Sequence, residues 1–352
     1  MHTRLGSIHG DQRYAGSHCA EPFRGFRISL LIALALSVLV VPRTAVAQKR
    51  GKIPLVGVLD PNPSTVPRPG CLAFFQQGLR DLGYVEGQNI VLEYRYAEHQ
   101  LDRLPALAAE LVRLTPDVIW THSNAAALAA KQAITTIPVV IGAGQDMAAL
   151  GIVESLARPG GNLTGLDVRV FELMGKRLEL LKEAVPTIAR VAVLVDPTNP
   201  FSKEVPHNIE REARALDVQL QRVEVGRPET FEGTLAAMVQ GGTDAVMLPE
   251  GPPFGPHSAQ FLELARRYRL PTVCGPRDYA EAGCLLAYGA NPNDLCQRSA
   301  VFIDKILRGA KLADLPVELG YKFYLSVNLK TAETLGLTLP PTFLHQADEV
   351  IK

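Results

Sequence analysis

The chain has 352 residues, 47% hydrophobic and 20% charged, which is room for two domains of ordinary globular composition. Its 36 basic and 36 acidic residues cancel, and no basic stripe marks it as a nucleic-acid binder. Five cysteines are too few for a disulfide scaffold.

The N-terminus reads as an export signal. Arg24 and Arg27 precede the apolar run 28–41, and Ala45-Val46-Ala47 follows after Pro42. This is the order of a secretory signal peptide cut after Ala47, with residues 1–23 an overlong start. The apolar run is shorter than the about 20 residues that a membrane helix takes, which favours cleavage over an uncleaved anchor. No cysteine follows it, which argues against a lipid anchor. A periplasmic protein is expected, keeping Cys71, Cys274, Cys284 and Cys296. Cys274 and Cys284 are close enough in sequence to pair; unpaired, they would serve as small buried apolar groups.

From Ile53 onward short apolar runs alternate with amphipathic segments. The spacing predicts a strand over 53–59, a helix over 71–82 ended by Gly83, a strand over 90–96 and a Leu/Ala-rich helix over 101–114. Next come a strand over 117–121, the loop His122-Ser123-Asn124, a helix over 125–134 and a strand over 137–141 that opens into Gly142-Ala143-Gly144-Gln145-Asp146. A short helix is expected there, broken by Arg158-Pro159-Gly160-Gly161 before the chain crosses into a second lobe.

The same grammar then restarts. Helices are expected over 171–185, 206–216, 231–240, 258–268, 295–309 and 329–335, and strands over 190–195, 218–225, 244–248, 271–274, 285–289 and 321–327. Such alternation predicts an α/β fold of two Rossmann-like lobes with parallel sheets. Lobe 1 is taken as 53–165 plus 290–320 and lobe 2 as 166–289 plus 321–345. Tyr288 falls at the hinge, and ligands in open α/β sheets sit outside the carboxyl ends of the strands.

No catalytic pattern assembles. Gly142-Ala143-Gly144 lacks the third glycine of a dinucleotide loop, no phosphate loop or nucleophile elbow occurs, and the histidines have no metal spacing. Neither cofactor nor metal is expected.

Four segments resemble a known family: 78–113 (GLRDLGYVEGQNIVLEYRYAEHQLDRLPALAAELVR), 155–165 (SLARPGGNLTG), 176–200 (KRLELLKEAVPTIARVAVLVDPTNP) and 323–340 (FYLSVNLKTAETLGLTLP). They are similar to the ABC-transporter substrate-binding family that includes tryptophan- and tyrosine-uptake binding proteins. The resemblance implies a type I periplasmic binding fold and a monomeric receptor. Such a receptor captures a small solute, an amino acid or related carboxylate or amide, for an inner-membrane permease and its ATPase.

It also implies that Ser123, Asn124 and Ala125 hold a ligand carboxylate, in a loop that departs here from the usual Gly-Thr-Pro-Ala. Gln145 and Asp146 match a polar loop facing the cleft, where Asp146 pairs with a ligand amine or is a turn residue. Asp196 and Asn199 match a loop that closes over the ligand. Glu250, Arg277 and Asp278 stand at later strand ends. Arg277 there is either an anion clamp or a surface partner of Asp278 or Glu281. Asp60 and Asn62 line the entrance, His122 is a further contact, and Tyr279 either stacks on an aromatic ligand or is structural. Two other classes compete: a ligand-sensing ectodomain, and a secreted α/β enzyme using Asp146 or Glu250 as acid or base.

Overall fold

The structure is a computed structural model that describes residues 52–65, 70–197, 207–250, 254–320 and 322–352. The expected leader, Asn199 and residues 251–253 lie outside the described residues.

The first sheet forms from runs apolar enough to be covered on both faces. Its strands are β1 (Leu55–Asp60), β2 (Val91–Tyr96), β3 (Val118–Thr121), β4 (Val139–Gln145), β5 (Leu163–Val168) and β11 (Glu318–Leu319), ordered β11-β5-β4-β3-β1-β2 and all parallel. Every residue of β3 is buried, as a central parallel strand requires. One face is covered by α2 (Leu104–Arg113) and α3 (Asn124–Ala133), through Leu104, Leu107, Leu111, Ala126 and Ala130.

The other face takes α1 (Cys71–Asp81) and the distant α9 (Pro292–Leu307). There Trp120 stacks on Phe75 with ring centroids 4.1 Å apart and donates from Nε1 to Ser299 Oγ at 2.8 Å. α1 and α9 pack so closely at Gly78 that a Cβ there would overlap the Gln297 carbonyl. A Cys71–Cys296 disulfide ties the same two helices together.

The second sheet holds β6 (Arg190–Val195), β7 (Gln219–Glu224), β8 (Ala245–Met247), β9 (Thr272–Cys274), β10 (Leu286–Ala290), β12 (Phe323–Asn328) and β13 (Glu349–Ile351), ordered β13-β12-β10-β9-β8-β6-β7. On one face lie α4 (Val170–Ala184), α5 (His207–Ala215), α10 (Leu329–Leu335) and α11 (Pro341–Leu344), contributing Leu178, Leu181, Ile209, Ala332 and Phe343. On the other lie α6 (Phe231–Gln240), α7 (Phe254–Arg267) and α8 (Arg277–Glu281), whose Phe231, Phe254, Phe261 and Tyr279 share one core. A Cys274–Cys284 disulfide spans the turn that carries α8.

The chain passes between the sheets at 168–170, 290–292 and 319–323. Several details depart from the sequence reading. β12 runs antiparallel to β10, because the chain re-enters beside Ala290, the end from which it left. β5 keeps residues 166–168 in the first sheet, and β13 extends the second beyond 345. The short helix expected after Gln145 does not form. Asp146 (φ 47°) and Gly151 (φ 69°) both lie in the left-handed region and cut the segment to a single turn.

Candidate functional site

The carboxyl ends of the two sheets meet. Gln145 at the end of β4 reaches across with Nε2 3.4 Å from Glu250 Oε2, just beyond β8. The strand ends of the two sheets therefore face each other at this point.

On the first-sheet side Asp60, Asn62 and His122 form a single cluster. Asp60 Oδ1 accepts from Asn62 N at 2.8 Å, and His122 Nε2 lies 3.1 Å from the same oxygen and 3.3 Å from Asn62 Nδ2. The nearer carboxylate makes Nε2 the donor. Ser123 caps α3 in an extended conformation, its Oγ accepting from Ala126 N at 3.2 Å, so its hydroxyl proton remains to be donated. Ala125 offers a backbone N–H from the first turn, one of the amides an α-helix leaves unpaired.

Asn124 departs from its expected role. It donates from Nδ2 to Gln145 O at 2.7 Å and accepts from Gln145 N at 3.0 Å on Oδ1. Its amide is spent fixing the exit of β4, which aims Gln145 at the second sheet.

Asp146 is likewise a hinge residue, not a free partner for an amine. It is buried, and its two carboxylate oxygens lie 3.1 and 3.3 Å from the amide N of Phe171, in the first turn of α4. Asp167, also buried, accepts from Met147 N at 3.0 Å on Oδ2, while its Oδ1 has no partner among the described residues. Burial pushes Asp146 up to about 7, offset in part by the Phe171 amide and reinforced by the charges of Asp167 and Glu250. Burial pushes Asp167 up to about 6 against the pull of the Met147 and Asp146 amides.

Both groups bind protons more tightly folded than unfolded, so their contribution to stability is greatest in acid and is lost as pH rises toward about 7. Each proton bound only by the folded state gives a slope of up to about 1.4 kcal/mol per pH unit. Urea denaturation between about pH 4.5 and about pH 7.5 is expected to show this decline. In Asp146→Asn the decline is expected to be shallower, since the amide oxygen still accepts from Phe171 N and Asn tolerates the left-handed backbone. An unchanged slope in that variant would clear the hinge carboxyls of responsibility.

On the second-sheet side Asp196 is buried at the exit of β6. Glu250 is held by Arg177, a residue the sequence reading missed. Arg177 lies in mid-α4, 3% exposed, with Nε donating to Tyr288 O at 2.7 Å and Nη2 to Glu250 Oε1 at 2.5 Å. The strand ends leave room for it, because a Cβ at Gly275 would overlap both Glu250 Oε1 and Arg177 Nη2. The signal was present in the sequence: Arg177 interrupts the apolar stripe Leu173, Leu181, Ala184 at helical spacing.

The expected clamp at Arg277 is corrected. Arg277 is exposed and makes a two-pronged pair with Glu349 of β13, both bonds 2.6 Å, plus a third to Glu281 at 2.8 Å. That places it at the outer part of the second sheet, with the exposed Asp278 beside it. Tyr279 is 7% exposed and packs in the core below. Burial first, then the Glu250 charge, raises its pKa.

Among the described residues no group of three or more His, Cys, Asp or Glu side chains is placed to hold a metal ion. What the cleft offers is convergent donors and acceptors from two bodies joined by three crossings, the equipment for closing on a small polar solute.

Two α/β lobes with a cleft at the hinge define the type I periplasmic binding architecture. The model for the ABC transporter substrate binding protein family matches residues 71–351, and the chain belongs to that family. It is 22% identical over 263 residues, 75% of each chain, to a tyrosine-binding protein of Clostridioides difficile strain R20291. Its fold is similar to a conserved domain protein of Vibrio cholerae (TM-score 0.77, 23% identity, 85% of this chain and 100% of that one). It is also similar to an ABC domain from Streptococcus pneumonia in complex with L-Trp (TM-score 0.76, 23% identity, 85% and 100%). Proteins of this family are extracytoplasmic, and in ABC importers they bind small solutes and engage the permease. Among the described residues no helix is long and apolar enough to cross a membrane.

Proposed function

We propose that the mature chain, freed of its leader at Ala47, works as a periplasmic monomer that captures an amino acid or a related carboxylate or amide. It hands the solute to an inner-membrane permease driven by an ATPase. The observation that carries this reading is the Gln145–Glu250 contact, which brings the strand ends of the two sheets face to face. In this reading the solute carboxylate meets Ser123 and the first-turn amides of α3, where an anion is favoured. The solute amine meets Asp60, whose Oδ2 has no partner among the described residues. The named ligands of the relatives, tyrosine and L-Trp, support an amino-acid class.

The test is a thermal-shift screen of the chain starting at Gln48 against amino acids, small carboxylates and amides, with calorimetry on each hit. A ligand of the native state raises the melting temperature with its concentration. One-to-one binding with the solute recovered unchanged is expected; conversion of the solute would favour the enzyme reading instead. In the same assay Ser123→Ala is expected to lose about 1 kcal/mol of stability as a cap and about 10-fold in affinity as a ligand contact. Unchanged affinity would remove Ser123 from the site.

A further inference from the structure

Glu250 has one carboxylate oxygen fixed within the second lobe and the other turned toward the first sheet. Its Oε1 accepts from Arg177 Nη2 at 2.5 Å, and that guanidinium is anchored in turn by Nε donating to Tyr288 O at 2.7 Å. Gly275 leaves the space for this pair, since a Cβ there would overlap both Glu250 Oε1 and Arg177 Nη2. Oε2 is differently placed. Its hydrogen-bond partner among the described residues is Gln145 Nε2, across the lobes at 3.4 Å, longer than the about 2.7–2.9 Å at which a nitrogen donor usually meets a carboxylate in a charge-assisted bond. Gln145 is held in that position, because Asn124 bonds its backbone N at 3.0 Å and its backbone O at 2.7 Å. The Glu250 side chain keeps 14% of its surface open against 4% for Arg177, so the pair is reached from the carboxylate side. An ion pair that only braced the second lobe would be closed on itself; this one leaves an acceptor facing the other sheet.

We propose that Glu250 Oε2 is the second-lobe subsite of the cleft and takes an N–H or O–H donor carried on the side chain of the solute. The inference rests on the amino-acid reading and narrows it. The solute is an amino acid whose side chain ends in a phenol, an indole N–H, an amide or an ammonium group. Such a donor replaces the 3.4 Å contact with a charge-assisted bond. A side chain without one leaves the carboxylate oxygen desolvated in the closed cleft with no better partner than Gln145. One that ends in a carboxylate adds like-charge repulsion.

The test is calorimetry on the chain starting at Gln48 with three pairs of near-equal shape: L-tyrosine and 4-fluoro-L-phenylalanine, L-tryptophan and its benzothiophene analogue, L-glutamine and L-glutamate. In each pair the second member lacks the side-chain donor. Within the pair that contains its tightest ligand, the parent is expected to bind the donor-bearing member at least about 10-fold more tightly. Glu250→Gln can keep its amide oxygen on Arg177 and turn its NH2 toward the first sheet, so there the ratio is expected to fall to within about threefold or to reverse. Arg177→Met with Glu250→Gln, in which neither charge is stranded, takes its place if the single variant does not fold, and its ratio is judged in the same way. Equal or reversed affinities in the parent, or an undiminished ratio in the variant, overturns the subsite and leaves solute capture standing. No binding of any of the six by the parent overturns the amino-acid reading and the subsite with it.

Discussion

Arg177→Met is expected to destabilise the folded chain by about 3–5 kcal/mol, because it leaves Glu250 with a buried charge and no partner. Glu250 is slightly the more open of the two, with its side chain 14% exposed against 4% for Arg177. Glu250→Gln strands the more deeply buried Arg177 charge but leaves an amide oxygen to accept from Nη2, and is expected to cost within the same range. The double variant Arg177→Met with Glu250→Gln should cost less than the sum of the two, since neither charge is then stranded. Urea denaturation of the parent, both single variants and the double variant measures this directly. Single costs under about 1 kcal/mol that simply add would mean that the pair is screened by water and behaves as a surface ion pair.

The second large effect concerns the disulfides. Cys71–Cys296 closes a loop with a sequence separation of 225, which encloses β6 to β10 of the second lobe but not its C-terminal β12 and β13. Cys274–Cys284 closes one of 10. In the chain-entropy account the longer loop is worth about 5 kcal/mol and the shorter about 3 kcal/mol. Cys71→Ala with Cys296→Ala should thus destabilise more than Cys274→Ala with Cys284→Ala, measured by urea denaturation without reductant. Adding dithiothreitol should lower the melting temperature of the parent and leave that of a variant lacking all four cysteines unchanged. The reverse order of the two pairs would mean that native-state packing, not loop entropy, sets their worth.

Much of this was legible in the sequence. Runs such as 55–59 and 191–195 are apolar throughout, so they identify themselves as buried parallel strands. β11 and β13 were not legible, being two and three residues long and only partly buried. The helix expected after Gln145 fails on a backbone torsion at Asp146, which composition does not reveal.

At the site, the rule that ligands gather at strand ends brought Asp60, Ser123, Gln145 and Glu250 into view, and of these Gln145 and Glu250 touch across the two sheets. It could not find Arg177, which reaches Glu250 from a helix on one face of the sheet. For Arg277 the surface pairing with Glu281, offered as the alternative to a clamp, is what forms, while its other partner, Glu349, lies 72 residues away in sequence on a strand too short to recognise. The two disulfides divide in the same way. Cys274 and Cys284 suggested each other by proximity, whereas Cys71 and Cys296 meet only because α9 returns to the first sheet.

The most direct test of the central claim is a crystal structure of the chain starting at Gln48, grown with the tightest-binding amino acid from the screen. The account predicts an unaltered solute between the carboxyl ends of the two sheets, its carboxylate within hydrogen-bond distance of Ser123 and its far end toward Glu250. A solute bound on an outer surface with the cleft empty would contradict it.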